Sequence, residues 1–248
     1  MIRYKTPQQI RDLQDGGKRL AESLQVVVEA TKPGITTQEL DEIAAKAIRA
    51  RGGKPSFLDY EGFPKTLCAS INQEVVHGIP SKERVVAAGD IIGLDLGLWY
   101  KGLCTDMAVT IPVGKVSKIA KKLIKVTKKS LEIAIAQARP GNTTGDIGHA
   151  VQAYAESHGF GVVRDLAGHG VGFGIHEEPL ILNYGHAGSG EILKPGLVIA
   201  IEPMLTVGDY HIKTLADDWT IETIDGNLAA QFEKTLAITA DGPVILTQ

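Results

Sequence analysis

The run Gly89-Asp90-Ile91-Ile92-Gly93-Leu94-Asp95 has a counterpart in Gly196-Leu197-Val198-Ile199-Ala200-Ile201-Glu202, 107 positions later. Each is a glycine turn, then a short apolar β-type run, then a carboxylate. The same offset of 107 links Pro33-Gly34-Ile35-Thr36-Thr37 to Pro140-Gly141-Asn142-Thr143-Thr144, and both segments open a helix that ends at a glycine, Gly52 or Gly159. Pro-Gly turns are common, so one match alone means little. A constant offset held over more than sixty residues points instead to a duplicated α+β unit. Joining the strands of two such halves into one sheet, with helices outside, would set Asp95 and Glu202 at facing strand ends.

Outward from these runs, helical spacing through Ile10, Leu13, Leu20, Leu24 and Val27 predicts a helix over Thr6–Ala30, with Thr6-Pro7 as cap and first-turn proline. Further helices are predicted over Thr37–Arg51, Lys115–Ala138 and Thr143–Ser157. Strands are expected at Leu67–Ile71, Ile91–Leu96, Ala108–Val113, Val162-Val163, Leu197–Ile201, His211–Leu215, Thr220–Ile224 and Thr235–Thr239. No linker or low-complexity tract divides the chain, so residues 1–248 read as one catalytic domain with halves of approximately 1–114 and 115–248.

Composition excludes several classes. With 44% hydrophobic and 22% charged residues and a net charge of −3, the chain is an ordinary globular protein, not one built to neutralise a phosphate backbone. Its longest apolar stretches fall far short of the roughly 18–20 residues of a membrane span, and Met1–Arg11 has no apolar block for a signal peptide, which predicts a cytoplasmic protein. Cys68 and Cys104 belong to no C-x-x-C pair and could form one bridge at most, so a disulfide scaffold or zinc finger is out.

A lone strand-end carboxylate ordinarily pairs with a lysine. Several buried together would be prohibitively costly without cations, and two divalent metals are the simplest neutralisers. Histidines sit in glycine-rich frames: His169 in Ala167-Gly168-His169-Gly170-Val171-Gly172, His77 in Val76-His77-Gly78-Ile79-Pro80, and His176 in His176-Glu177-Glu178-Pro179. A lone histidine is usually a hydrogen-bonded core residue, but flanking glycines let a ligand approach and leave the imidazole accessible.

From about Thr6 to the C-terminus the chain resembles the type I methionine aminopeptidases. That family's metal set is an Asp, a second Asp eleven residues on, a His between glycines, a Glu before Pro and a late Glu; here these are Asp95, Asp106, His169, Glu202 and Glu233. His77 and His176 match its two non-ligand histidines. The resemblance implies the pita-bread, creatinase/aminopeptidase-like α+β fold, two pseudo-twofold-related halves around a curved antiparallel sheet. It implies a dinuclear site in which Asp95 holds one metal, His169 and Glu202 the other, and Asp106 and Glu233 bridge both. Cobalt, manganese, iron(II) and zinc all suit such an oxygen-rich set.

The activity implied is metal-dependent removal of N-terminal methionine from nascent proteins and peptides with a small second residue, by a hydroxide held between the metals. Glu202 would act as general base, while His77 and His176 would flank the peptide, one at the scissile nitrogen and the other at the oxyanion. Carried over in the same way, Tyr60, Phe63, Cys68, Ile175 and Trp219 form the methionine slot. Ile175 and Phe63 depart from the family's usual aromatics, and Met107 and Lys234 from its usual neighbours of the second Asp and the late Glu. Ile175 therefore predicts weaker discrimination against other unbranched apolar side chains.

The alternative is a prolidase or aminopeptidase P-like Xaa-Pro hydrolase with the same five ligands. Those enzymes usually carry a large N-terminal domain, whereas 76 residues precede His77 here. Type II methionine aminopeptidases carry an insertion where Glu202 here follows His169 by 33 positions, and a non-catalytic relative would have lost its ligands. The reading is a type I enzyme, monomeric, with no membrane association. Finally, Lys115–Lys129 holds seven lysines; Lys118, Lys121, Lys122, Lys125, Lys128 and Lys129 fall on one helix face opposite Val116, Ile119, Leu123 and Val126. Such a face is ordinarily solvated, but in an enzyme of nascent chains it could make a weak, salt-sensitive ribosome contact.

Overall fold

The computed structural model describes all 248 residues. Four helices, α1 (Pro7–Ala30), α2 (Thr37–Ala50), α3 (Lys118–Gln137) and α4 (Thr144–Ser157), lie outside antiparallel sheets. Their starts follow from the caps. Thr6 with Gln9, Thr36 with Glu39 and Thr143 with Asp146 form capping boxes that satisfy backbone donors at both the cap and the third helical residue. The third helix begins later than predicted because Ser117 is its cap, which leaves Val116 outside it. Its buried stripe is Ala120, Leu123, Val126, Thr127, Ser130, Leu131 and Ala134. Ile119, expected on the buried face, lies at the stripe's edge in the first turn and is 42% exposed.

In the first half the strand Ile91–Tyr100 pairs antiparallel with Leu67–Ile71 and with Leu103–Pro112. In the second half Lys234–Thr239, Val198–Ile201, Ala167–Gly170 and Glu177–Leu182 lie side by side. The two sheets meet along Leu103–Pro112, where Glu233 N–H donates to Ala108 O at 2.9 Å, Asp106 N–H to Thr235 Oγ1 at 2.9 Å, and Thr110 Oγ1–H to Gln231 O at 2.8 Å.

The offset of 107 recurs in the hydrogen bonds. Gly34 N–H donates to Val86 O as Gly141 N–H does to Leu193 O, and Gly53 N–H to Ile48 O as Phe160 N–H does to Ala155 O. The pairs Lys54↔Trp99 and Pro55↔Leu98 are matched by Gly161↔Thr206 and Val162↔Leu205. The equivalent strands nonetheless differ in continuity. Ile91–Tyr100 runs unbroken for ten residues, so Asp95 is not at a strand end, as expected from sequence, but mid-strand opposite Cys68 and Ala108. Its counterpart stops at Ile201 and resumes at Met204. Pro203 has no N–H to donate to a ladder, so Glu202 does terminate its strand.

Successive strand residues face opposite sides, and this alternation separates core from site. Ile92, Leu94, Leu96 and Leu98 join Leu20, Leu24 and Val27 of α1 and Leu40, Ala44 and Ile48 of α2 in one core. Ile199, Ile201, Leu236 and Ile238 pack with Ile147 and Val151 of α4. Each such side chain, when fully buried, contributes roughly 1.5–3 kcal/mol of transfer free energy. Asp95 has the opposite parity and faces inward, away from the helices.

Candidate metal centre

Cross-strand register brings the acidic groups together. Gly97 pairs with Asp106 and Asp95 with Ala108, so Asp95 and Asp106 are diagonal neighbours on the inward face. His169 pairs with Ala200 on the neighbouring sheet, Glu202 follows that strand, and Glu233 enters from the seam. One ligand atom from each of Asp106, His169 and Glu233 lies within 4.8 Å of the others. His169 Nε2 stands 3.6 Å from Glu202 Oε1. All five side chains line a cavity of about 180 Å³, together with Phe57, Tyr60, Glu61, Phe63, Cys68, His77, His176 and Trp219.

Held together as anions, these carboxylates need a counter-charge; without one, burial favours their protonated forms. Burial, reinforced by neighbouring carboxylates, pushes Asp95 and Glu233 well above the usual carboxylate range, and Glu202 up to about 8. Burial likewise pushes Asp106 up to about 7, although donation from Met107 N–H opposes the shift. Asp95 Oδ1 and Glu233 Oε1 are buried without a hydrogen-bond partner. No lysine or arginine forms an ion pair with any of the four. Lys234, the neighbour of Glu233, turns its ammonium away to Thr247 O and Met107 Sδ.

His169 is prepared in a complementary way. Its Nδ1 lies 2.9 Å from Gly170 O, which can only accept, so Nδ1 carries the proton and the Nε2 lone pair faces the carboxylates. Burial lowers its pKa to about 3, keeping the ring neutral. Unpartnered carboxyl oxygens beside a neutral imidazole become a hard, oxygen-rich donor set on deprotonation, and the residues fit divalent metal ions.

Two further histidines stand at the cavity. His77 adopts a left-handed φ of 59° before Gly78, whose missing Cβ would lie 2.4 Å from Ala69 O. Its ring packs edge-on to Trp219 at 6.0 Å, and burial lowers its pKa to about 4. His176 stands edge-on to His169 at 4.5 Å and shares a 3.2 Å hydrogen bond between Nδ1 and Tyr60 Oη. Burial lowers its pKa as well.

Tyr60, Phe63, Cys68 and Trp219 line the cavity, with Phe63 and Trp219 edge-on at 5.1 Å. Ile175 does not. It is buried in the apolar cluster that also holds Phe57, Phe63 and Cys68, and borders a separate surface depression near Leu58 and Trp99. Phe57 and Glu61, which the sequence reading passed over, stand in the cavity wall. Gly97 makes room for Phe57: a Cβ there would lie 2.0 Å from Ser56 Oγ and 2.9 Å from the Phe57 ring. The left-handed φ angles of Asp59, Glu61 and Gly62 turn the Phe57–Phe63 loop inward. The Asp-Tyr-Glu-Gly run was the available signal. Met107 and Lys234, two of the departures from the family pattern, touch each other at 3.6 Å. Met107 lies on the core side, away from the cavity.

A model of metallopeptidase family M24 matches residues 11–240. A methionine aminopeptidase of Clostridium acetobutylicum is 48% identical over 247 residues, covering 100% of this chain and 99% of that protein. Methionine aminopeptidase 1 of Bacillus subtilis is 46% identical over the full length of both. Among solved structures, the methionine aminopeptidase of Thermotoga maritima superposes with a TM-score of 0.98 at 43% identity over both whole chains. An Xaa-Pro dipeptidase from Bacillus anthracis gives 0.79 at 23% identity, covering 99% of this chain but 62% of that one, a likeness of fold.

Proposed function

We infer, because this chain belongs to metallopeptidase family M24 and to its methionine aminopeptidases, that it removes N-terminal methionine from nascent proteins and peptides whose second residue is small. The observation that carries the reading is a buried cluster of four carboxylates and one imidazole, without a cationic side chain, at a small aromatic-walled cavity. Two divalent ions suit the cluster, cobalt, manganese, iron(II) or zinc: Asp95 would hold one, His169 and Glu202 the other, and Asp106 and Glu233 would be shared. Bound divalent ions supply positive charge that polarises the scissile carbonyl and acidifies water.

The chain's own residues do the rest. Gln231 Nε2 donates to Glu202 Oε2 at 3.0 Å and fixes that carboxylate, which serves as proton acceptor. His77 and His176 have lowered pKa values and are neutral at neutral pH. If Tyr60 O–H donates to His176 Nδ1, the proton of that ring sits on Nε2 and is available to an oxyanion, while His77 serves the amide nitrogen. Phe57, Tyr60, Phe63, Cys68 and Trp219 enclose the methionine side chain. Residues 1–248 act as one catalytic domain, with its halves, about 1–114 and 115–248, meeting at the site.

An assay on stripped and metal-reconstituted protein decides between this activity and Xaa-Pro hydrolysis. Met-Ala-Xaa peptide should be cleaved faster than Xaa-Pro dipeptide, and verified metal removal should abolish turnover. Faster Xaa-Pro cleavage would overturn the substrate, and full activity in excess chelator would overturn the metal dependence.

The chain is proposed to work as a monomer in the cytoplasm, and no helix is long and apolar enough to cross a membrane. Lys118, Lys121, Lys122, Lys125, Lys128 and Lys129 are all exposed along α3. Lys122 also donates to His158 O and Lys129 pairs with Glu132. A weak ribosome contact through this face should weaken as salt rises. Reversing Lys118, Lys121, Lys125 and Lys128 to Glu should cut co-sedimentation with ribosomes and leave peptide turnover unchanged; undiminished co-sedimentation at low salt would return the lysines to a solvated surface.

A further inference from the structure

The N-terminal segment before α1 reaches the site through a buried ion pair. Lys5 Nζ lies 2.9 Å from Glu177 Oε2, with the two side chains only 1% and 4% exposed. The other carboxylate oxygen, Oε1, accepts from Gly174 N–H at 2.8 Å and from Phe173 N–H, so Glu177 closes the turn just before it into a ring that contains His176. Arg3 approaches Oε1 at 3.2 Å from the solvent side, and both cations lie 4.9 Å from the centre of the Phe173 ring. Lys5 is itself anchored, its N–H donating to Gly196 O at 2.7 Å, two residues before the strand that leads to Glu202. The turn is pinned on its far side by Cys104 N–H donating to Gly172 O at 2.7 Å. There is no slack at the contact: a Cβ on Gly172 would lie 2.5 Å from Lys5 Cε.

A buried ion pair contributes little net stability, because desolvation offsets its Coulombic attraction. What it does provide is fixed geometry. His176 stands at the cavity with one side-chain hydrogen bond, to Tyr60, so the orientation of its ring depends on the backbone of the turn. We propose that Lys5 and Glu177 are positioning residues for His176, the N-terminal segment serving as a strap that locks the Phe173–His176 turn and aims the imidazole into the cavity. This rests on the reading of His176 as a substrate-contacting group.

The test compares Lys5→Met, Glu177→Gln and the double variant, with His176→Ala in parallel. It measures kcat and KM on a Met-Ala peptide, bound metal, and the ring resonances of His176 by NMR in metal-free protein. A small misplacement of a reacting group costs up to about a hundredfold. Each single variant should lose about ten- to a hundredfold in kcat with KM within about threefold and metal content retained. The double variant should be no slower than the slower single one, as members of one clamp are not additive. His176 resonances should shift or broaden in all three. Wild-type kcat in Lys5→Met, multiplicative losses in the double variant, or unmoved His176 resonances would overturn the strap. Should His176→Ala itself keep wild-type kcat, the reading of His176 would be at fault and the strap would fall with it. Loss of rate in His176→Ala but not in Lys5→Met would condemn the strap alone.

Discussion

The acid cluster and the apolar slot share one cavity but are held in different ways. Asp95 and Asp106 project from the interior of paired strands, with His169 on a strand across the seam and Glu233 in the two-residue break before Lys234–Thr239, tied by its N–H to Ala108 O, so their positions follow from register. Phe57, Tyr60, Glu61 and Phe63 come from an irregular loop with three left-handed residues, and Trp219 from a turn capped by Asp217. A strand cannot slip by one residue without turning every side chain over, whereas a loop can relax. Changes in the cluster should therefore act as all-or-none, and changes in the slot should be graded.

The largest effect is expected at Asp106 and Glu233, the two carboxylates proposed to serve both ions. Asp106→Ala and Glu233→Ala should each lose bound metal and peptidase activity together, since a group serving two cations offsets their repulsion. His77→Ala gives the contrast: it should lose about 10²–10⁴-fold in rate, the range for a proton-transfer group, while keeping its metal. Metal analysis of the purified variants separates the two outcomes. A metal-free His77→Ala, or a Glu233→Ala with full metal and turnover, would erase the distinction between ligands and flanking histidines.

A smaller effect concerns the cluster without its ions. Asp106 and Glu202 are raised from ordinary values of 3.8 and 4.5 to about 7 and 8, so the stability tied to their protonation is fully present below about pH 4 and lost as pH rises through 7–8. His77 and His169 are lowered from 6.5 to about 4 and 3, so they add stability above pH 6.5 and lose it as pH falls through 4–3. The two trends oppose each other between about pH 4.5 and 6.5. Above that the carboxylates act alone. Metal-free protein should lose stability steadily from pH 6.5 to 8 in urea titrations, and metal saturation or Asp106→Asn should flatten the slope. A metal-free stability that rose over that interval would mean that the cluster is better solvated than its burial indicates.

The same contrast explains what was legible in the sequence. The repeat was legible because its carriers are local: a Pro-Gly turn, a Thr cap and a glycine stop recur at one offset, and the backbone bonds Gly34 to Val86 and Gly141 to Leu193 recur with them. Of the cluster, Asp95 and Glu202 stood out as carboxylates at one offset and His169 through its glycine frame, whereas Asp106 and Glu233 entered only through the resemblance to the aminopeptidase family. Asp95 was nevertheless misplaced at a strand end, because a charge reads as an end when the half that buries it is out of view. The strands Ala167–Gly170 and Glu177–Leu182 were missed since Gly, His, Glu and Pro carry no strand preference. The contact between Met107 and Lys234 spans 127 positions and is a fact of pairing that no local pattern records.

The slot supplies the smallest and most discriminating test. Ile175 and Phe57 both belong to the apolar cluster around the cavity, but only Phe57 stands in its wall. Enlarging Ile175 to Phe should therefore strain a packed core, costing about 1–3 kcal/mol of stability, and should leave the preference for methionine over norleucine or leucine unchanged. Trimming Phe57→Leu should do the reverse, keeping the cluster and metal content while widening the cavity beside the substrate. Its preference should shift by at most about 1–3 kcal/mol, because apolar pockets discriminate poorly between side chains that differ by a methylene. Competition between Met-Ala and Leu-Ala peptides gives the ratio directly, and thermal melts give the stability. A changed ratio in Ile175→Phe with an unchanged one in Phe57→Leu would restore Ile175 to the slot and show that the loop carrying Phe57 moves aside when substrate binds.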